Sequence, residues 1–311
     1  MSKAGRQNPA FAILYIRILS KKECDSVGGI HVSRVRDVVC SLALEAAFEL
    51  PQDMVCALEE GRKKERSPLG VTVFEDLLRN RDIAREERIP LCQDCGMAVL
   101  FVDLGEEVRL EGGSLEEALH EGVRRAYTEG YLRKSVVTDP LYDRKNTGDN
   151  TPAIIHYRRV PGNKLSITVA PKGMGSENMS RICMLRPADG EEGVLEKVVE
   201  TVALAGPNPC PPLVLGICVG GNFETAPLGA KRALLRPLGE PHPDSRYAAL
   251  ERRILEACND LGIGPGGYGG SVTVLGAAIE TLPTHIAGMP LAVNVCCHAL
   301  RHASAVLEEE A

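Results

Sequence analysis

A short polar turn with the sequence Cys-Gln-Asp-Cys-Gly, residues 92–96, places two thiols and a carboxylate directly before an apolar run at 97–102. The run is rich in β-branched and aromatic side chains, so it predicts a buried strand that the turn leads into. Two cysteines separated by two residues have three ordinary interpretations: a redox dithiol, half of a zinc site, or a pair in which only one thiol has a role. The turn alone leaves all three open.

Cysteine is abundant in this chain, with 11 residues among 311. The number is odd and the residues are scattered through apolar segments, which is typical of buried thiols in a reducing compartment such as the cytoplasm rather than of a disulfide framework. Three cysteines lie in more specific settings: Cys92 in the polar turn, Cys210 among the prolines of segment 209–212, and Cys297, beside Cys296, at the end of an apolar run. The prolines predict a fixed, extended backbone that presents the Cys210 thiol.

These three cysteines are far apart along the chain, which excludes the local ligand pairs of a zinc knuckle or a ferredoxin-type run. If their loops converge, the thiolates could hold a cubane iron-sulfur cluster, which normally takes four thiolates. A cluster held by only three would leave one iron open to bind substrate oxygens as a Lewis acid. The residues also leave open a zinc- or redox-active binding module that uses Cys92 and Cys95.

The elements that position these residues alternate between helical and strand patterns along the chain. Helical periodicity covers about 32–50, 52–64, 71–86, 114–130, 191–204 and 246–260. Strand-like runs cover 97–102, 154–160, 165–169, 213–219, 272–279 and 290–295. The turn residues Pro-Gly-Asn at 161–163 predict that the second and third of these strands form a hairpin.

This order predicts an α/β fold of mixed α+β type, in which a helical N-terminal portion is followed by a mixed β-sheet with helices. We expect residues 30–311 to form a single large domain, which could divide into two lobes. Residues 1–29 are expected to be a loosely ordered extension, because their weak signal-like pattern is interrupted by Arg17 and lacks a small-residue cleavage site.

The composition limits the classes of partner. A chain that is 44% hydrophobic and 25% charged is typical of a soluble globular protein. Its net charge is -6 and it has no block of lysines or arginines, so we expect no nucleic-acid partner. The apolar stretches are shorter than the ~18 residues of a membrane helix, so we expect no membrane partner either.

Two loops have the length or composition of binding loops. Segment 133–152 is long and polar, and a loop of that length inside a compact domain is usually functional. Segment 171–178 follows a strand and combines glycines with Lys172 and Ser176, which favours anion binding by backbone amides. Its spacing does not match a P-loop, so it does not indicate a nucleotide.

Taken in order, these motifs resemble those of the class I, iron-sulfur-dependent fumarate hydratases. The turn at 92–96 resembles the family's Cys-Gln-Asp-Thr-Gly. The remaining motifs are Asn-Thr-Gly-Asp-Asn-Thr-Pro at 146–152, Lys-Gly-Met-Gly-Ser-Glu-Asn at 172–178, Asn-Pro-Cys-Pro-Pro at 208–212, Pro-Thr-His-Ile-Ala-Gly at 283–288 and Asn-Val-Cys-Cys-His at 294–298. The resemblance covers about 30–308 and only the family's α part; in that family a β region, on the same chain or a separate subunit, completes the active site.

The resemblance implies a set of site residues. The ligands of a 4Fe-4S cluster with one open iron would be Cys92, Cys210 and Cys297. The catalytic residues would be Asp94 and His285, and the substrate-binding residues Gln93, Arg133, Gly173 and Gly175. Arg133 would hold the remote carboxylate of a diacid bidentately. His285, oriented by Asp94, would protonate the leaving hydroxyl, because histidine is the side chain suited to proton transfer near neutral pH.

Two positions depart from the family pattern. Cys95 stands where the family has threonine, which puts an extra thiol beside the cluster, and Met174 replaces a glycine, which narrows a backbone-lined pocket. Two further motif residues can be interpreted without a chemical role. We expect Lys172 to be solvated, and His298 to orient the last cysteine loop rather than act chemically.

The implied function is that of the α subunit of a hydro-lyase that interconverts fumarate and (S)-malate, a reaction of the tricarboxylic acid cycle. The implied partners are a small dicarboxylate and a separate β chain in an α2β2-type assembly. The motifs supply a Lewis acid, a carboxylate clamp and an acid but no base, so we expect the chain to be inactive alone. We also expect the surface around the cluster loops to be apolar and open. The α subunit of a tartrate dehydratase is the near alternative.

Overall fold

The computed structural model describes residues 28–309. The helices are α1 (Val32–Phe48), α2 (Gln52–Lys64), α3 (Pro68–Glu87), α4 (Leu115–Glu129), α5 (Met174–Glu177), α6 (Gly190–Ala205), α7 (Thr225–Ala233) and α8 (Ser245–Asn259). The strands are β1 (Ile30–His31), β2 (Met97–Gly105), β3 (Leu110–Glu111), β4 (Ile154–Val160), β5 (Lys164–Lys172), β6 (Arg181–Leu185), β7 (Leu213–Gly220), β8 (Val274–Leu282), β9 (Met289–Cys296) and β10 (Ala303–Glu308). The predicted extension at 1–29 falls almost entirely outside the described residues and stays a prediction.

A four-stranded sheet in the order β10-β5-β2-β4 carries the cysteine turn at 92–96 just before β2. The strand β2 pairs antiparallel with β5 and parallel with β4. It is apolar because α1 and α4 cover the sheet: Leu100 of β2, Val35 of α1 and Leu119 of α4 belong to one buried cluster. The two short strands β1 and β3 pair parallel beside it.

The predicted hairpin of β4 and β5 is wrong. Both strands form nearly as expected, but β2 lies between them in the sheet. A buried strand such as β2 needs neighbours on both sides, because each of its N–H and C=O groups must be paired away from water. The strand β4 is left at the sheet edge, where Arg158 and Arg159 face solvent.

A second four-stranded sheet, in the order β6-β9-β7-β8, carries the other two cysteine loops, before β7 and after β9. The strand β7 is parallel to β8 and antiparallel to β9. Helices α6 and α8 cover one face, where Val198 and Ile254 are buried with Leu215 of β7. Helix α7 packs on the opposite face, where Ala230 is buried with Cys218.

These two sheets, each with a buried cluster of its own, confirm the mixed α/β fold. Helices α2 and α3 pack through Met54 and Phe74 against a third cluster that includes Val214 of β7. Within residues 28–309, no helix is both long and apolar enough to cross a membrane.

Glu65, directly after α2, is a buried carboxylate that joins two segments distant in the sequence. It accepts hydrogen bonds from the amides of Arg66 and Ser67 at 2.8 Å each, and from those of Ser271 and Val272 at 3.0 and 2.9 Å. Burial opposes ionisation, but the amide hydrogen bonds outweigh it and lower the pKa of Glu65. The carboxylate therefore holds the segment before β8 against the start of α3.

We expect Glu65→Gln to lower the free energy of unfolding by about 2 kcal/mol near neutral pH, because charge-assisted hydrogen bonds are lost. The folded-state pKa of Glu65 lies below its ordinary 4.5, so its contribution is fully present above about pH 4.5 and is lost as the pH falls through the folded-state value. Urea denaturation at neutral and acidic pH measures both effects. Glu60→Gln, at an exposed site on α2, is the matched control. If the unfolding curves of Glu65→Gln and wild type superimpose, this role of Glu65 is contradicted.

Candidate active site

Three loops bring the cysteines of the specific settings together. Cys92 lies in the bend between α3 and β2, Cys210 between α6 and β7, and Cys297 directly after β9. Partial burial raises the pKa of the Cys210 thiol, and the neighbouring thiols of Cys297 and Cys92 raise it further. Hydrogen bonds from the segment after Cys297 to the other two loops hold the three segments against one another.

The Cys210 loop differs from its prediction. The amide of Cys210 donates to the carbonyl of Pro207 at 3.1 Å, which closes a turn, and Cys210 itself has a φ of 56°. This left-handed conformation is uncommon for a residue with a Cβ and requires a constrained loop. The predicted extended backbone is therefore wrong at Cys210: the flanking prolines fix a turn at the surface, in which the residue is exposed and its thiol only partly buried.

Two side chains that follow β9 tie the three loops to one another. The Nδ1–H of His298 donates to the carbonyl of Cys210 at 3.0 Å, which ties the last cysteine loop to the Cys210 loop. The guanidinium of Arg301 donates through Nη2 to the carbonyl of Asp94 at 2.6 Å. The segment that carries Cys297 therefore contacts both of the other cysteine loops.

Asp94 ties the cysteine turn to the glycine loop that begins after β5. One carboxylate oxygen accepts from the amide of Gly96 at 2.9 Å, and the other accepts from the amide of Met174 at 2.8 Å. A Cβ placed on Gly173 would come within 3.1 Å of the Asp94 carboxylate, so this close approach favours glycine. Asp94 therefore positions the loop in which Gly173 lies.

The predicted substrate-facing groups lie at the surface: the side chains of Gln93, Arg133 and His285 and the backbone of Gly175 are exposed. His285 lies in the loop between β8 and β9 and accepts through Nδ1 from the amide of Ala287 at 3.1 Å. Both carboxylate oxygens of Asp94 are engaged by amides of other segments. The expectation that Asp94 orients His285 is therefore not met.

Asn150, which the sequence analysis did not single out, fixes the long polar loop. It is fully buried with a φ of 62°, and its Oδ1 accepts from the amide of Ser135 at 2.7 Å. Its Nδ2 donates to the carbonyl of Gly96 at 3.1 Å, and the amide of Arg133 donates to Cys95 Sγ at 3.2 Å. The loop of Arg133 is thus anchored on the cysteine turn. The tolerance of asparagine for left-handed φ, between aspartate and threonine in a turn-rich motif, was the available signal.

The expectation that Lys172 is solvated is wrong. The residue is 6% exposed, and its Nζ donates to Ser176 Oγ at 2.8 Å and to the carbonyl of Val295 at 2.9 Å. It also pairs with Glu177 at 3.3 Å, and Lys231 of α7 pairs with the same carboxylate. Burial raises the pKa of Glu177, but the two lysines outweigh it, so the pKa is lowered. The glycine loop therefore carries one carboxylate between a buried and a partly buried ammonium group.

The two thiols at the end of β9 lie in a positive local field. A hydrogen bond between the adjacent thiols of Cys296 and Cys297 lowers the pKa of Cys296 to about 6 and raises the pKa of Cys297. Burial opposes the shift at Cys296, and three nearby cations add to it: Lys172, Arg301 and Lys231. Arg301 is 4% exposed, and its Nε–H finds no acceptor in the described part of the chain. Cations beside the cysteine loops, with a buried donor left free, fit an anionic iron-sulfur cluster.

The arrangement differs from that of a single-ion site. Among residues 28–309, no three His, Cys, Asp or Glu side chains converge closely enough to hold one metal ion. A cubane cluster does not need that convergence, because each thiolate ligand binds a different iron. Ligands for a cubane can therefore come from separate loops, and Cys92, Cys210 and Cys297 lie on three separate loops.

Comparison with known proteins covers the whole site. The family described as fumarate hydratase (Fumerase) matches residues 36–306 of the chain. The putative L(+)-tartrate dehydratase subunit alpha of Methanocaldococcus jannaschii is 42% identical over 274 residues, which cover 87% of this chain and 96% of that protein. The L(+)-tartrate dehydratase subunit alpha of Escherichia coli strain K12 is 31% identical over 283 residues, 90% of this chain and 92% of that protein. The family match includes the three cysteine loops, the glycine loop and the histidine loop.

Proposed function

Because the chain belongs to the fumarate hydratase family, as its motifs predicted, we propose that it is the α subunit of an iron-sulfur-dependent hydro-lyase that interconverts fumarate and (S)-malate. The observation that carries the proposal is that His298 and Arg301, which follow Cys297, hydrogen-bond to the loops of Cys210 and Cys92. The backbone of Arg133 is anchored on the loop of Cys92, which supports the proposal that its side chain binds a carboxylate at the same site.

Cys92, Cys210 and Cys297 would hold a 4Fe-4S cluster with one iron that has no protein ligand. When bound, this group supplies a Lewis acid for carboxylate and hydroxyl oxygens of the substrate. The positive charges of Lys172 and Arg301, which act on the adjacent thiol of Cys296, would also stabilise an anionic cluster bound at Cys297. The free thiols of the described residues agree with the reducing, cytoplasmic location that we predict.

The chain's own residues would hold the diacid and deliver a proton. Arg133 presents a planar, exposed fork of donors that can bind the remote carboxylate bidentately. Gln93 and the backbone amides of Gly173 and Gly175 would add donors. His285 accepts a hydrogen bond through Nδ1, which leaves Nε2 as the ring nitrogen that can face the substrate. As an imidazolium, the ring would give its Nε2 proton to the leaving hydroxyl and become neutral.

Asp94 stays a predicted catalytic residue, and its contacts support a positioning role. Its carboxylate holds the amide of Met174 and thereby the whole glycine loop. Met174 itself is 43% exposed where the family pattern has glycine. A bulky side chain at this position reduces the space that a substrate can occupy beside the loop. The preference for one diacid over another would therefore depend on Met174 as well as on Arg133.

A separate β chain is the proposed partner, in an α2β2-type assembly. Dehydration of malate needs a base that removes the carbon-bound proton, and the site residues named above do not include one. The loops of the site expose large apolar side chains: Met174 is 43% exposed, Tyr131 81% and Ile286 93%. Exposed apolar groups around a site are typical of a surface that another chain covers. The similar proteins of both organisms are named subunit alpha.

L(+)-tartrate is a second candidate substrate, because the similar proteins are named L(+)-tartrate dehydratase subunit alpha. Tartrate differs from malate by one additional hydroxyl, so the same carboxylate clamp and acid would serve either diacid. A pocket that hydrogen-bonds the extra hydroxyl would discriminate against malate, whereas a pocket too narrow for it would discriminate against tartrate.

Kinetics of the anaerobically purified α–β complex test the proposal. We expect a higher kcat/KM for fumarate and (S)-malate than for L(+)-tartrate. The reverse order would assign the tartrate reaction, and turnover of none of them would contradict the hydro-lyase. His285→Asn is expected to lower kcat by about 10²-fold to 10⁴-fold with the iron content unchanged, which would show that the activity belongs to this site.

A further inference from the structure

Arg301 is a buried cation that lacks a counter-charge in the described polypeptide. It lies between Cys297 and β10 and is 4% exposed. Its Nη2 donates to the carbonyl of Asp94 at 2.6 Å, and its Nε–H has no acceptor among residues 28–309. No carboxylate of that range forms an ion pair with it, so one neutral carbonyl is the partner that the structure gives this guanidinium.

Two other cations in residues 28–309 that are largely withdrawn from water pair with carboxylates. Arg236, whose Nε–H also lacks an acceptor, pairs with Glu251, and Lys172 pairs with Glu177 at 3.3 Å. Burying a charge without a partner is costly, because the charge loses its hydration and gains nothing in return. Of these three cations, Arg301 is the one without a carboxylate partner. Its burial therefore indicates that the counter-charge comes from a group outside the polypeptide.

The surroundings of Arg301 indicate what that group is. The Nη2 of Arg301 donates to the carbonyl of Asp94, which lies in the cysteine turn two residues after Cys92, and Arg301 itself follows Cys297 by four residues. The guanidinium therefore lies beside both the first and the last cysteine loop. An iron-sulfur cluster on three thiolates carries net negative charge, and it would form between these same loops.

We propose that Arg301 is the counter-charge of the iron-sulfur cluster, a positioning residue that stabilises the bound cluster and raises its reduction potential. The inference rests on the proposed function, because it requires a cluster on Cys92, Cys210 and Cys297. Reduction adds negative charge to a cluster, so a nearby fixed cation favours the reduced form. By bonding to Asp94, Arg301 also holds the first and last cysteine loops together.

Two substitutions separate the charge from the hydrogen bond. Arg301→Gln keeps an amide donor and removes the charge, whereas Arg301→Lys keeps the charge and removes the planar fork. Arg236→Gln, which breaks a buried ion pair elsewhere in the chain, is the matched control for general destabilisation. Each full-length variant is reconstituted anaerobically with iron and sulfide. The reduction potential is measured by a redox titration followed by electron paramagnetic resonance, and cluster release is timed with an iron chelator.

We expect Arg301→Gln to shift the potential to a more negative value and to release iron at least tenfold faster than wild type. Arg301→Lys should keep the potential close to that of wild type, and so should Arg236→Gln. If Arg301→Gln holds no cluster, Arg301→Lys must recover it. Equal potentials and release rates in wild type and Arg301→Gln, or equal failure of the Gln and Lys variants, would overturn the inference. A wild-type chain that takes up no iron would overturn the proposed function itself.

Discussion

Cys92→Ser, Cys210→Ser and Cys297→Ser are each expected to abolish cluster retention and all hydro-lyase activity. Each thiolate would be the single protein ligand of one iron, and a serine hydroxyl is neither ionised near neutral pH nor a soft ligand. Iron and acid-labile sulfide per chain, with the visible absorption of anaerobically purified protein, measure retention. The expected result is a colourless chain for each of the three variants.

Cys95→Ser and Cys296→Ser are the controls, because they remove thiols next to the ligands. Cys95 Sγ accepts a hydrogen bond from the amide of Arg133 at 3.2 Å, and a serine oxygen can accept the same hydrogen bond. Both controls should keep their iron. If Cys95→Ser loses iron as completely as Cys92→Ser, the ligand assignment is wrong and a dithiol or zinc site that uses both residues is favoured instead.

The isolated chain is expected to convert malate to fumarate at least about 10²-fold more slowly than the α–β complex with the same iron content, since a missing general base costs about that factor or more. The base would come from the β chain, which would cover the exposed side chains of Met174, Tyr131 and Ile286. Turnover is measured with the reconstituted chain, with and without the β chain. Comparable turnover in both preparations would show that this chain carries its own base, and the two-subunit account would then fail.

A substitution on the exposed surface refines this test. Ile286→Asp places a charge on a side chain that is 93% exposed, so folding of the isolated chain should be unaffected. In the complex, the buried charge should weaken association with the β chain. Unchanged assembly of Ile286→Asp, measured by co-purification, would place the interface elsewhere on the α chain.

The long helices could be predicted because their local signals agree with their packing. In α4, the side chain of Ser114 caps the helix by accepting a hydrogen bond from the amide of Glu117 at 3.4 Å. Gly130 directly follows the last helical residue and caps the other end. The prediction missed α7, where Pro227 suggests a loop; proline is tolerated in the first helical turn because its missing N–H is unpaired there anyway. Local pattern therefore identifies elements whose own caps and periodicity are complete.

Strand order could not be predicted, because it depends on pairing between distant segments. The short linker at 161–163 favoured a hairpin, yet the buried strand β2 takes both β4 and β5 as neighbours. The edge strand β10 was missed for a related reason: Ala303–Glu308 is a short, half-polar segment that is identified by its antiparallel pairing with β5.

At the site, the motifs predicted which loops carry the cysteines but not what holds them in place. Lys172 looked like a surface lysine because the sequence does not reveal that Glu177 and the carbonyl of Val295 surround its ammonium group. The guanidinium of Arg301 reaches the carbonyl of Asp94 across 207 positions of the chain. Supporting contacts of this kind are long-range, so they become visible only once the loops are placed in space.

Mössbauer spectroscopy of the α–β complex, loaded with Mössbauer-active iron under anaerobic conditions, tests the central claim most directly. The claim is that three cysteines hold a cubane whose remaining iron is open to substrate. The predicted result is a cluster in which one iron site alone changes its signal when (S)-malate or fumarate is added. A spectrum without cluster iron, or a cluster in which no site responds to either diacid, would contradict the account.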